Sequence, residues 1–254
     1  MPDHPATVPS STEPARGASP EASPSPGSGP ERSSSLGACS EHVPEYVIAA
    51  GAYRSGSTWL YNAARLALRL AGHSVYGRFY DGTYDPEDPA RFHVVKVHRF
   101  EDEVLEVAQV VLTSIRDPRD IAASAVRRGL VEGTPDAVAA FVAEAVLDGF
   151  ERWRPHAAMV LRYEDLRAGG GRELLRRLLE VLAPHGTRGV SLDVLEQQLD
   201  ALRPGESYDR ETLLWPNHLT DGRVHGYRDT LSEEAIARIE SRFGEWMHAN
   251  GYAA

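Results

Sequence analysis

The stretch YVIAAGAYRSGSTWL, residues 46–60, constrains the fold more than any other part of the chain. Val47 to Ala50 is an apolar run of the kind that forms a buried strand. The segment from Thr58 to Ala71 (TWLYNAARLALRLA) carries apolar residues at helical spacing, with Gly72 just beyond it. Between them, Gly51, four residues, Gly56, Ser57 and Thr58 follow the frame of a phosphate-binding loop, except that Ser57 stands where such a loop has its lysine. Strand, glycine loop and helix form the required context, because loop amides and the positive end of the helix dipole then converge on one anion. An ordinary strand-to-helix turn whose glycines serve packing would carry the same pattern.

The rest of the chain continues the alternation. Apolar runs at 46–50, 93–98 (HVVKVH), 107–115 and 158–162 read as strands, and helical patterns cover 58–71, 118–128, 136–150, 172–182, 192–202 and 232–250. Strands separated by helices imply parallel pairing with right-handed crossovers, hence an α/β, three-layer, P-loop-like domain with a central parallel sheet flanked by helices. With 42% hydrophobic residues, 254 residues support one good core, so a single domain is expected over residues 41–254. Residues 1–40 are rich in Ser, Pro, Gly, Ala and Glu and read as a disordered tail.

Several function classes recede on composition. A net charge of −10 argues against a nucleic-acid partner, although local arginines can still bind a small anion. No leader-like or membrane-length apolar segment is found, so a cytoplasmic protein with no membrane partner is expected. The single cysteine, Cys39, allows no intrachain disulfide. Oligomeric state is not encoded in any feature of the sequence.

Open sheets of this type bind ligands beyond the carboxyl ends of their strands. Those ends read GAYRSGST, KVH, SIRDPRD and RYEDL, each with a cationic or hydrogen-bonding side chain. Asp117 in the third could be the metal-holding acid of a nucleotide triphosphatase, but Arg116 before it suits an anion and Pro118 after it suits the first turn of a helix. Of 27 basic residues only one, Lys96, is a lysine, and it stands two positions before His98. Side chains at i and i+2 leave a strand on the same face, so the two can address one point. On these residues alone, a kinase or NTPase, a non-catalytic nucleotide-binding protein and a group-transfer enzyme all remain open.

Taken together, YRSGSTW, VVKVH, SIRDPRDIAAS, VLRYEDL and HLTDGRVHGYRDTLS resemble, in order, the signatures of the P-loop-like sulfotransferases, bacterial type, that use 3′-phosphoadenosine 5′-phosphosulfate (PAPS). The resemblance implies sulfuryl transfer from PAPS as co-substrate to a hydroxyl of a small-molecule or glycan acceptor, with no metal. It places Arg54 as the loop cation, and the loop amides through Ser55 and Gly56, with Ser57 and Thr58, on the 5′-phosphate. It puts Trp59 on the adenine and Tyr163 near it. Arg116 and Ser124 take the 3′-phosphate, with Arg223, following Gly222, as a second arginine there, and Tyr227 stands for a family tryptophan. His98 is then the general base, with Lys96 and Arg54 neutralising the leaving phosphate. Segments 73–92 and 203–217, irregular and rich in aromatic and polar residues, are the expected acceptor walls.

Overall fold

Five strands form one parallel sheet in the order β2-β3-β1-β4-β5. They are β1 (Glu45–Gly51), β2 (Val75–Phe79), β3 (Phe92–Val97), β4 (Ala108–Ile115) and β5 (Met159–Arg162). The computed structural model describes residues 43–83, 88–216 and 222–252. The expected tail at 1–40 lies outside these residues, as do 84–87 and 217–221 in or beside the expected acceptor walls.

The helices are α1 (Ser57–Leu70), α2 (Asp102–Val107), α3 (Pro118–Arg127), α4 (Pro135–Phe141), α5 (Asp148–Trp153), α6 (Tyr163–Asp165, one turn), α7 (Gly171–Leu182), α8 (Leu192–Ala201) and α9 (Glu233–Ala249). Strand β1 is buried on both faces, as the middle of a parallel sheet must be. Its alternation divides the core. Val47 and Ala49 pack with Leu60 and Ala64 of α1, Leu175 of α7 and Leu195 of α8, while Tyr46, Ile48 and Ala50 pack with Val104 of α2 and Trp153 of α5. A further cluster joins Ile121 of α3, Val138 of α4 and Ile239 of α9 beyond the end of β4. The α/β reading holds: a central parallel sheet is covered by helices on both faces.

Three local expectations are corrected. Strand β2 falls inside the segment 73–92, read above as irregular; it is a half-buried edge strand containing Gly77 and Arg78, so it lacks the apolar run that marked the others. The expected strand at 107–115 begins one residue later, because Val107 ends α2, a six-residue helix that sequence periodicity does not reveal. The expected helix at 136–150 is interrupted by a π-helical stretch, Val142–Leu147, between α4 and α5.

Candidate active site

The loop after β1 is fixed by close approach. A Cβ on Gly51 would lie 2.1 Å from Ser114 Oγ and 2.5 Å from the Cβ of Ser57, so only glycine passes there. The chain then turns through two left-handed residues, Arg54 (φ 58°) and Gly56 (φ 88°), the latter at the N-cap of α1. A left-handed arginine is uncommon; here its Nε donates to Ser124 Oγ over 3.0 Å, and its carbonyl accepts from Arg116 Nη1. Ser55 turns inward: its Oγ donates to the Ala52 carbonyl over 2.6 Å and lies 2.7 Å from Ser114 Oγ. Among the described residues no side chain caps α1, and its first turn holds no acid, which leaves the helix N-terminus open to an anion.

Register brings the next strand end to the loop. Ala49 of β1 pairs with Lys96 of β3, and His98 is the first residue beyond that strand's end at Val97. Lys96 is 6% exposed and its Nζ donates to Thr58 Oγ1 over 2.7 Å. Burial, and secondarily the charge of Arg54, pushes its pKa down to about 7. His98 Nδ1 lies 2.7 Å from the Gly51 carbonyl, a geometry in which Nδ1–H donates and the neutral ring carries its lone pair on Nε2. Tyr53 stacks on this imidazole with centroids 4.1 Å apart, and Phe79 of β2 tilts against it at 5.6 Å.

On the other side of β1, Arg116 follows directly on the last residue of β4, Ile115. This guanidinium is 3% exposed, lies 4.2 Å over the Tyr163 ring, donates to the Arg223 carbonyl over 2.7 Å and pairs with Asp120 at 3.6 Å. Its Nε is buried with no hydrogen-bond partner among the described residues. Asp117 is committed elsewhere: it caps α3 by accepting from Arg119 N and pairs with the Arg119 guanidinium at 2.7 Å. Tyr163 donates to the Gly222 carbonyl over 3.3 Å.

These groups surround a cavity of about 890 Å³ whose walls include Arg54, Gly56, Ser57, Thr58, Trp59, Lys96, His98, Arg116, Tyr163 and Gly222. Ser55, Ser124 and Arg223 are not on that wall. Ser55 holds the loop, Ser124 bears on the site through Arg54, and the Arg223 guanidinium points away to Asp229 at 2.9 Å. Tyr227, expected to stand for a tryptophan, is buried with the Arg119 guanidinium 4.5 Å over its ring and its amide donating to Asp120. Sequence reasoning missed Tyr53, Arg128 and Arg167 on the wall. Arg128 had a signal, since it follows Ser124 by one helical turn. The segment 203–217 does contribute Arg203, Tyr208, Leu213, Leu214 and Trp215, with Tyr208 stacked on Trp215 at 4.4 Å. Among the described residues, no three His, Cys, Asp or Glu side chains gather where they could hold a metal ion, and no helix is long and apolar enough to cross a membrane.

Comparison with solved structures places the architecture. Retinol dehydratase in complex with retinol and PAP matches with a TM-score of 0.55 at 16% identity, over 80% of this chain and 81% of that one. The same enzyme with androsterone and inactive cofactor PAP matches with a TM-score of 0.55 at 16% identity, over 80% of both chains. Mouse sulfotransferase SULT7A1 complexed with PAP matches with a TM-score of 0.54 at 14% identity, over 81% of this chain and 85% of that one. No protein-family model matches the chain, and no curated protein matches it in sequence. The chain has the sulfotransferase fold.

Proposed function

We propose that this chain transfers a sulfuryl group from PAPS to a hydroxyl of a small-molecule or carbohydrate acceptor, in the cytoplasm. The observation that carries the reading is the convergence of Lys96, Thr58 and His98 on the glycine loop that also presents Arg54. The residues fit a ligand with two phosphate positions. One lies at the uncapped start of α1 beside Arg54 and Lys96; the other lies by Arg116, whose buried Nε has no partner among the described residues. The presence of PAP in the retinol dehydratase and mouse sulfotransferase complexes supports this.

PAPS, when bound, supplies an activated sulfuryl group with a phosphate as its leaving group. Ser57, Thr58 and the loop amides would hold the 5′-phosphate end, with Trp59 and Tyr163 about the adenine. His98 would take the acceptor hydroxyl proton on Nε2, since Nδ1–H is held by the Gly51 carbonyl. Lys96, steered by Thr58, and Arg54 would meet negative charge as it develops on the departing phosphate oxygen, a form of stabilisation whose loss typically costs several kcal/mol. No residue step in this scheme needs a metal ion.

The test is a thermal-shift comparison of PAP, ATP and GTP, with and without magnesium, followed by single-turnover transfer from labelled PAPS into a panel of hydroxyl acceptors. Stabilisation by PAP without magnesium, together with transfer, is expected. Preference for ATP with magnesium would make the chain a kinase or NTPase, and PAP binding without transfer to any acceptor in the panel or in cell extract would make it a nucleotide-binding protein.

A further inference from the structure

The resemblance to PAPS-dependent enzymes puts a second 3′-phosphate arginine, Arg223, in the loop after Gly222, but the cavity wall does not include that residue. Arg223 gives its carbonyl to Arg116 and its exposed guanidinium to Asp229. The cavity wall nevertheless carries another arginine on this side of the site. Arg128 is the C-cap residue of α3, four positions after Ser124, so the two stand on one face of the same helix. Ser124 accepts from Arg54 at 3.0 Å, and the Arg54 carbonyl accepts from Arg116. Asp120, Ser124 and Arg128 stand at four-residue spacing along α3 and its C-cap, and Asp120 pairs with Arg116, just before the helix, at 3.6 Å.

We infer that Arg128, reaching from the end of α3, is the partner of Arg116 in receiving the 3′-phosphate of the nucleotide, in place of an arginine from the loop after Gly222. The crowding of like charge supports this. The Arg54 guanidinium is held below its usual range first by burial, then by the charge of Arg128, and then by that of Arg116. A phosphate received there would answer the charges of Arg116 and Arg128 together. A cation at a helix C-terminus also answers the helix dipole, but that alone would not set it on the cavity wall beside Arg54.

Arg128 can play this part only if the cavity takes PAPS as proposed above, so the experiment separates the two ideas. Calorimetric titration of wild type, Arg128→Ala, Arg128→Gln and Arg223→Ala with PAP and with 5′-AMP isolates the 3′-phosphate, the one group by which the ligands differ. The Arg128 side chain is exposed, and melting of the ligand-free variants serves as the folding control. Both Arg128 variants should bind PAP roughly tenfold more weakly, the effect of one hydrogen bond to a charged group, and 5′-AMP within about twofold of wild type. Arg223→Ala should keep the wild-type ratio. Equal losses for both ligands in the Arg128 variants, no loss at all, or a selective loss in Arg223→Ala would overturn the inference. A wild-type protein with no preference for PAP over 5′-AMP would overturn the reading of the site itself, and this assignment with it.

Discussion

The Lys96 ammonium donates to the Thr58 hydroxyl over 2.7 Å, joining the end of β3 to the first turn of α1 across the mouth of the glycine loop. Buried beside Arg54, that ammonium has its pKa pushed down to about 7, so at pH 8 most of the empty protein holds Lys96 neutral. A phosphate beside it favours the charged form. PAP binding at pH 8 should therefore take up a proton, whereas well below pH 7 Lys96 is already charged and contributes no uptake. Affinity should fall as pH rises above about 7. Titration calorimetry in buffers of different ionisation enthalpy measures the uptake, which Lys96→Met should abolish; equal uptake in that variant would assign the proton to another group.

His98→Ala should lower single-turnover sulfuryl transfer by about 10²- to 10⁴-fold, the usual contribution of a general base, while PAP affinity stays near wild type. The two effects separate because the imidazole is held through Nδ1 by the Gly51 carbonyl, stacks on Tyr53 and tilts against Phe79, while the phosphate is assigned to the loop amides, Arg54 and Lys96. Wild-type transfer rates in this variant would remove His98 from the chemistry.

Gly149→Ala tests how tightly that histidine is held. Glycine inside a helix is ordinarily less stable than alanine by up to ~1 kcal/mol, so the exchange should help α5. A Cβ there, however, would sit 2.9 Å from the His98 carbonyl oxygen, closer than backbone allows. The expected result is no gain in melting temperature and a drop in turnover of roughly tenfold or more, since a shift of about 1 Å at a reacting group is costly. PAP affinity should fall less than turnover, because Lys96 is tied to Thr58 of α1 and Arg116 lies beyond β4. A more stable variant with full turnover would show that β3 yields freely at its end.

Asp120→Ala should destabilise the domain by about 3–5 kcal/mol in denaturant unfolding, the range seen when one partner of a buried ion pair is removed. This carboxylate is 1% exposed, pairs with Arg116 and accepts from the amides of His225 and Tyr227, so its loss leaves a buried cation and two donors without their acceptor. Asp120→Asn, which keeps an acceptor oxygen, should lose less. Equal losses in the two variants would assign the effect to charge alone.

The parts of this architecture that the amino-acid sequence reveals are those whose side chains share one environment along their whole length. Val47 to Ala50 and Val94 to Val97 are buried on both faces, and their apolar runs announce them. Val75 to Phe79 forms an edge, half in solvent, where Gly77 lies under Tyr61 and Arg65 of α1, and no run or alternation marks it. The same division holds at the site. Lys96 and His98 stand two apart at a strand end, a spacing visible in the sequence, whereas the glycine frame marks only the loop and Arg54 takes its role there from the resemblance to the sulfotransferases. Which way Arg223 turns, and that Arg128 reaches the wall, depends on Asp229 and on the length of α3, which no local pattern records.

Strand β1 lies between β3 and β4, and each contact that shapes the cavity spans a long loop of chain. Arg54 and Ser124 are 70 residues apart, His98 and Gly51 are 47 apart, and Arg116 and the Arg223 carbonyl are 107 apart. Closing such loops is slow compared with forming helices, because the entropy is lost before the contacts repay it. Helix content measured by circular dichroism should thus return early during refolding, and the capacity to hold nucleotide should return last, when both neighbours of β1 have docked. A nascent or partly unfolded chain would have no cavity in which to trap the nucleotide, so occupancy by PAP reports that this sheet is complete.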